Sequence, residues 1–117
     1  MEPVFLLGGY LASAGLAASG VAGVLIPERV GRVLHTDLSA PRARSEMRSA
    51  YACFAALGID AVIVGSPAVF FAVGILWLGA AAVRLFALAV DRPHADWTYW
   101  VFLGLELALG VMGFSVG

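Results

Sequence analysis

Lysine is absent from this 117-residue chain, cysteine occurs once, and charged residues of all kinds make up only 13%. Each shortage excludes something. A soluble domain carries about 25% charged residues, so this chain has too few to coat a globule in water. Hydrophobic residues reach 62%. That excludes intrinsic disorder, because disordered chains are poor in apolar residues. Seven basic residues face eight acidic ones, which leaves no positive excess for nucleic acid. The lone Cys53 excludes an intrachain disulfide, a CxxC redox pair and a cysteine-based zinc site. In an apolar run it reads as a small core residue. His35 and His94 fall between the apolar runs, without the Cys or carboxylate spacing of a metal site. A haem would want histidines within a helical bundle. There is no Ser-His-Asp arrangement, Gly-rich phosphate loop or paired-carboxylate site. The sequence therefore predicts no catalytic residue, no cofactor and no metal.

What is present is apolar sequence in four runs, at 4–26, 48–66, 67–90 and 97–116. The first carries no charge. The others are interrupted by Asp60 (after Arg48 at the entry), Arg84 and Glu106 respectively. Twenty-three residues span about 34 Å as a helix, enough for a bilayer core of about 30 Å. Backbone groups cannot go unpaired in lipid, so the runs should be helices. The fold class that follows is all-α: one transmembrane domain over 1–117, an antiparallel up-and-down four-helix bundle. Ala12-Ser13-Ala14 resembles a signal-peptide cleavage site. However, the chain opens without a basic region and the apolar run continues to Ile26, so a retained helix is expected.

The links refine this picture. Gly65-Ser66-Pro67 is a minimal turn in which Ser66 can cap the third helix and Pro67 can occupy its first position. So short a link predicts that the second and third helices form an antiparallel hairpin. Asp96 is a candidate N-cap for the fourth. The link 27–47 holds seven of the fifteen charged residues. Its start, Pro27 to Leu34, suits a short interfacial helix with Arg29 and Arg32 toward headgroups, or an irregular solvated loop. Ser39 or Pro41 can begin the second helix before it enters the membrane. Both charged links fall on one side of the bundle. The positive-inside rule puts that side in the cytoplasm, in an inner (plasma) membrane protein with both termini outside. Tyr51, Trp97, Tyr99 and Trp100 would then form an aromatic belt at the cytoplasmic interface.

Helix 1 carries a ladder of small residues: Gly8, Ala12, Gly15, Ser19 and Gly23. Spacings of three and four keep them on one face. Such a face admits the close approach of another helix. That helix belongs either to the same bundle or to a membrane-protein partner or second copy.

Asp60, Arg84 and Glu106 are costly, because a charge near the bilayer centre costs at least about 2.5–3.5 kcal/mol and so pairs or faces a wet cavity. Arg84 lies about 9 Å from the cytoplasmic end of its helix and Glu106 about 14 Å from that end of its own. With the reach of an arginine stem, the two can meet. Glu106 shares a helical face with Tyr99, Phe102, Gly110 and Gly113; Arg84 shares one with Val73, Trp77 and Ala80. Arg48 can add a second cation, with Glu46 two residues before it. Asp60 has no evident partner in the sequence.

Ser45-Glu46-Met47-Arg48 with Tyr51, then Arg84-Leu85 with Asp91, then Glu106 form a sparse pattern over nearly the whole chain. In this the sequence resembles the domain-of-unknown-function family 4345, small four-helix bacterial integral membrane proteins. The resemblance implies the bundle and a polar intramembrane cluster of Arg48, Arg84 and Glu106, to which Glu46, Tyr51 and Asp60 can be added. Ala52 and Cys53 depart from the glycines that often follow the helix 2 tyrosine in that family. The resemblance implies no activity. Small multidrug transporters share the length and helix count but rely on a glutamate in helix 1, and helix 1 here has no acidic residue.

Three function classes remain. The first is a non-enzymatic helical module packing in a membrane complex or homo-oligomer, favoured by the small extramembrane mass and the small-residue faces. The second is a transporter or channel subunit using Asp60, Arg84 and Glu106. The third is an enzyme on a lipid or quinone, favoured only by arginines near headgroup level.

Overall fold

The computed structural model describes residues 3–34, 36–90 and 97–116, with side chains from Leu6 onward. The described residues form five helices: α1 (Pro3–Leu25), α2 (Pro27–Val33), α3 (Pro41–Val64), α4 (Pro67–Val90) and α5 (Trp97–Val116). Four of them are long and apolar enough to cross a membrane. Asp96 and both histidines lie outside the described residues.

Local chemistry sets the boundaries. Ile26 leaves the helical region (φ −132°, ψ 56°), and Pro27 starts α2 at a position that needs no backbone N–H. The stretch after Pro27 is therefore a short helix. Pro41 starts α3 in the same way, so this helix begins seven residues before position 48 and carries Arg42, Arg44 and Arg48 on a continuous rod. At its far end Gly65 takes the left-handed conformation (φ 62°) and donates its N–H to Ala61 O. The Ser66 hydroxyl accepts the Val69 amide at 3.3 Å and so caps α4. The 36–40 link is pinned by Leu38, buried against Gly31. The Arg44 guanidinium also donates to Leu38 O and Ser39 O at 3.1 and 2.9 Å.

The long helices alternate in direction, and the molecule is flattened, 45 × 30 × 19 Å. Packing does not follow chain order. α3 packs chiefly on α1, and α4 chiefly on α5, while α3 and α4 share few contacts despite the short turn between them. The expected hairpin is thus antiparallel but hardly packed. The reason is where the small residues lie. A Cβ on Gly20 would collide with the Ala55 backbone, and one on Gly58 with the Ala17 backbone. Glycine therefore lets α1 and α3 meet main chain to main chain. Gly74 and Gly113 do the same for α4 and α5, where a Cβ on Gly113 would stand 2.8 Å from Gly74 Cα.

Ala12, Leu16, Ala61 and Val73 form the fully packed centre, with Phe54, Leu76, Trp77 and Leu109 closing around it. The Trp77 indole donates to Ala12 O at 3.0 Å, a polar tie from α4 to α1. Outside this core the helices present apolar side chains outward, including Ile63, Val83, Phe86 and Leu25. In water such a surface would drive aggregation, whereas hydrocarbon solvates it. The protein is a membrane-spanning helical bundle.

Candidate functional site

The polar centre of the bundle sits between α4 and α5. Arg84 is on the last third of α4 and Glu106 is midway along α5, and the antiparallel packing brings them level. Arg84 Nε donates to Glu106 Oε1 at 2.7 Å, and Nη2 stands 2.5 Å from the same oxygen. The Glu106 side chain is 6% exposed and that of Arg84 25%. Glu106 Oε2 is buried and has no hydrogen-bond partner among the described residues.

Tyr99, two helical turns before Glu106 on the same face, completes the arrangement. Its hydroxyl donates to Arg84 O at 2.9 Å, and the Arg84 guanidinium lies 5.1 Å from its ring centroid. Phe102 flanks the guanidinium at 6.0 Å. A guanidinium between aromatic faces gains cation–π attraction where water is scarce. Tyr51, on α3, packs on Gly23 and against Phe54.

The other residues singled out in the sequence go elsewhere. Arg48 is exposed and lines an open groove with the end of α1 and with α2. It makes no ion pair among the described residues. Glu46 is exposed on α3, with no hydrogen bond or ion pair among the described residues. Asp60 faces outward from α3, equally without one. The structure thus brings Arg84 and Glu106 into contact and shows no contact of Tyr51, Arg48, Glu46 or Asp60 with the pair among the described residues. In the ladder, Gly8 meets Met112 and Gly15 meets Leu109 on α5, Gly23 meets the Tyr51 ring, and Ala12 is fully buried. Ser19 is half-buried. Among the described residues no three His, Cys, Asp or Glu side chains gather as a metal site.

Sequence reasoning placed Tyr99 on the face of Glu106 but missed its bond to Arg84 O. The available signal was an aromatic hydroxyl one side-chain length from an intramembrane cation. It also missed Arg44, which staples the 36–40 link and approaches Glu28 at 3.6 Å. No local pattern announces an arginine that folds back on the preceding loop.

The sequence profile of the domain-of-unknown-function family DUF4345 matches residues 5–116, nearly the whole chain. The chain belongs to the DUF4345 family. Both Arg84 and Glu106 lie within the matched span, as do all five helices apart from the first residues of α1. Among curated proteins and among solved structures nothing matches significantly. The DUF4345 assignment therefore gives the family, while the chemistry has to be read from the residues themselves.

Proposed function

We propose that this DUF4345 protein is a non-enzymatic inner-membrane module that works by packing against another membrane protein or a second copy of itself. The observation that carries this reading is Asp60. It sits in an apolar transmembrane helix, on the outward face, with no partner among the described residues. A carboxylate in that setting is costly unless a neighbour supplies a donor or a cation. Ser49, Cys53 and Ala56 continue the same exposed face at helical spacing, and small residues admit a close second helix. α3 is also the least buried of the four spans. The Gly8-to-Gly23 ladder is taken up by α5 and α3 of the same chain, whereas the Asp60 face of α3 stays exposed. Native mass spectrometry of the protein extracted in mild detergent tests the reading. A complex that dissociates on Asp60→Leu is expected. A lone monomer in both forms would overturn it.

A second reading has one observation in its favour. Glu106 Oε2, buried and unpartnered inside a span, suits a subunit that passes a proton or a small cation. The direct Arg84–Glu106 contact weighs against it, since a matched pair neutralises itself. Ion flux in liposomes that disappears with Glu106→Gln would favour this second reading over the first.

A further inference from the structure

The open groove at the arginine-rich end of the bundle, about 250 Å³, has an unusual lining. Part of it is apolar, from Leu25, Ile26 and Pro27 where α1 hands over to α2. Arg29 and Arg32 from α2 and Arg48 from α3 also line it. None of these three arginines has a hydrogen bond or ion pair among the described residues. Glu28 also lines the groove, but Arg44 lies 3.6 Å from its carboxylate, so the three guanidiniums stay unmatched.

Position adds a second argument. The groove lies at the end of the transmembrane part of α1. That end also carries the start of α5, because α5 runs antiparallel to α4 and α4 runs alongside α1 (Trp77 bonds Ala12 and Phe70 meets Gly9). Trp97 and Trp100 are exposed at the start of α5, 74% and 52%. Exposed tryptophans mark the headgroup level of a bilayer. We propose that the groove between α2 and the start of α3 binds the headgroup phosphate of an acidic phospholipid. Arg29, Arg32 and Arg48 hold the phosphate, and Leu25, Ile26 and Pro27 receive the first part of an acyl chain. Arginine suits the task because its planar fork matches phosphate oxygens and stays charged at any working pH.

The test uses the purified full-length protein in detergent, titrated with dioleoylphosphatidylglycerol, with dioleoylphosphatidylcholine, and with inorganic phosphate, and read by native mass spectrometry. One acidic lipid should bind in preference to the zwitterionic one. Arg32→Gln and Arg48→Gln should each weaken that binding about fivefold, the scale of one basic residue at a charged lipid surface. Arg42→Gln, exposed on α3 outside the groove, should change it less than about twofold by the same measure. All three side chains are exposed, so thermal unfolding should be unchanged. If it shifts, Arg29→Gln serves as the second groove variant. Equal binding of the two lipids, or undiminished binding in the Arg32→Gln/Arg48→Gln double variant, overturns the proposal. Displacement of the acidic lipid by millimolar inorganic phosphate also overturns the lipid assignment, in favour of a soluble anion.

Discussion

Arg84 holds Glu106 by a single oxygen: both guanidinium contacts converge on Oε1, and Oε2 is left buried without a partner. The two ends of this pair differ in access to solvent. Arg84 retains a quarter of its side-chain exposure, whereas Glu106 is almost sealed. Removing one partner should therefore have unequal effects. Arg84→Leu strands a sealed carboxylate and is expected to destabilise the bundle by about 3–5 kcal/mol. Glu106→Leu strands an arginine that can bend its stem toward the interface, so the loss should fall to about 1–3 kcal/mol. The double variant should recover part of the larger loss. Reversible unfolding in mixed micelles measures all three, and simple additivity would argue against coupling.

Tyr99 ties α5 to α4 through the main chain and the guanidinium of Arg84. Tyr99→Phe keeps the ring beneath the guanidinium but removes the hydroxyl that reaches Arg84 O. The expected cost is about 0.5–1.5 kcal/mol, the net value of one hydrogen bond. The same unfolding assay reads it. A loss as large as that of Tyr99→Ala would show that the ring was displaced, not merely the bond lost.

Much of this architecture could be read from the chain. The apolar runs, the Ser66 cap and the Pro67 start are local, and each is dictated by chemistry within a few residues. The Arg84–Glu106 contact was legible because cost and depth leave two opposite charges on adjacent helices few alternatives. Packing order was not legible. It depends on which backbones can approach, and Gly20 against Ala55 is a match between residues 35 positions apart that neither helix reveals alone. The separation of Arg48 from the pair has the same origin. α3 lies along α1 rather than along α4, which carries Arg48 to the α2 groove.

The 36–40 link should respond to acid. The Ser39 amide donates to Asp37 Oδ1 at 2.9 Å, and this bond holds the Asp37 carboxyl below its ordinary value. The ionised form is the better acceptor. The contribution is therefore complete above the unfolded carboxylate value of about 3.9 and fades as pH falls through the lowered native one. A Ser39 amide resonance that follows the titration of Asp37 with a midpoint below the ordinary aspartate value is expected. A midpoint at or above the ordinary aspartate value would contradict the bond.

The arginine-rich end is expected to face the cytoplasm, because basic residues near the membrane resist translocation. Ala40→Cys and Ser66→Cys, each in a Cys53→Ala background, place single thiols in the two opposite links. An impermeant maleimide added to intact cells should label position 66 and not position 40. The reverse pattern would invert the topology while leaving the helix packing intact.

The close backbone approach of α1 and α3 carries the last prediction. Gly20 and Gly58 lie where α1 and α3 cross, and a methyl at either would overlap main-chain atoms of Ala55 or of Ala17 and Ser13. Main chain cannot swing aside as a side-chain tip can, so the helices themselves must part. Gly20→Ala and Gly58→Ala should each destabilise the bundle by about 1–3 kcal/mol, the usual effect of overpacking. Helix propensity alone predicts the opposite sign, because alanine favours a helix over glycine by about 0.5–1 kcal/mol. Gly79 and Gly104 separate the two effects. Both are helical and exposed, and a methyl at either meets nothing within 4 Å. Gly79→Ala and Gly104→Ala should therefore be neutral or stabilising in the same unfolding assay. If all four variants behaved alike, propensity would govern and the α1–α3 contact would be looser than main chain against main chain. If only Gly20→Ala and Gly58→Ala fail, close approach at that crossing is what orders the bundle.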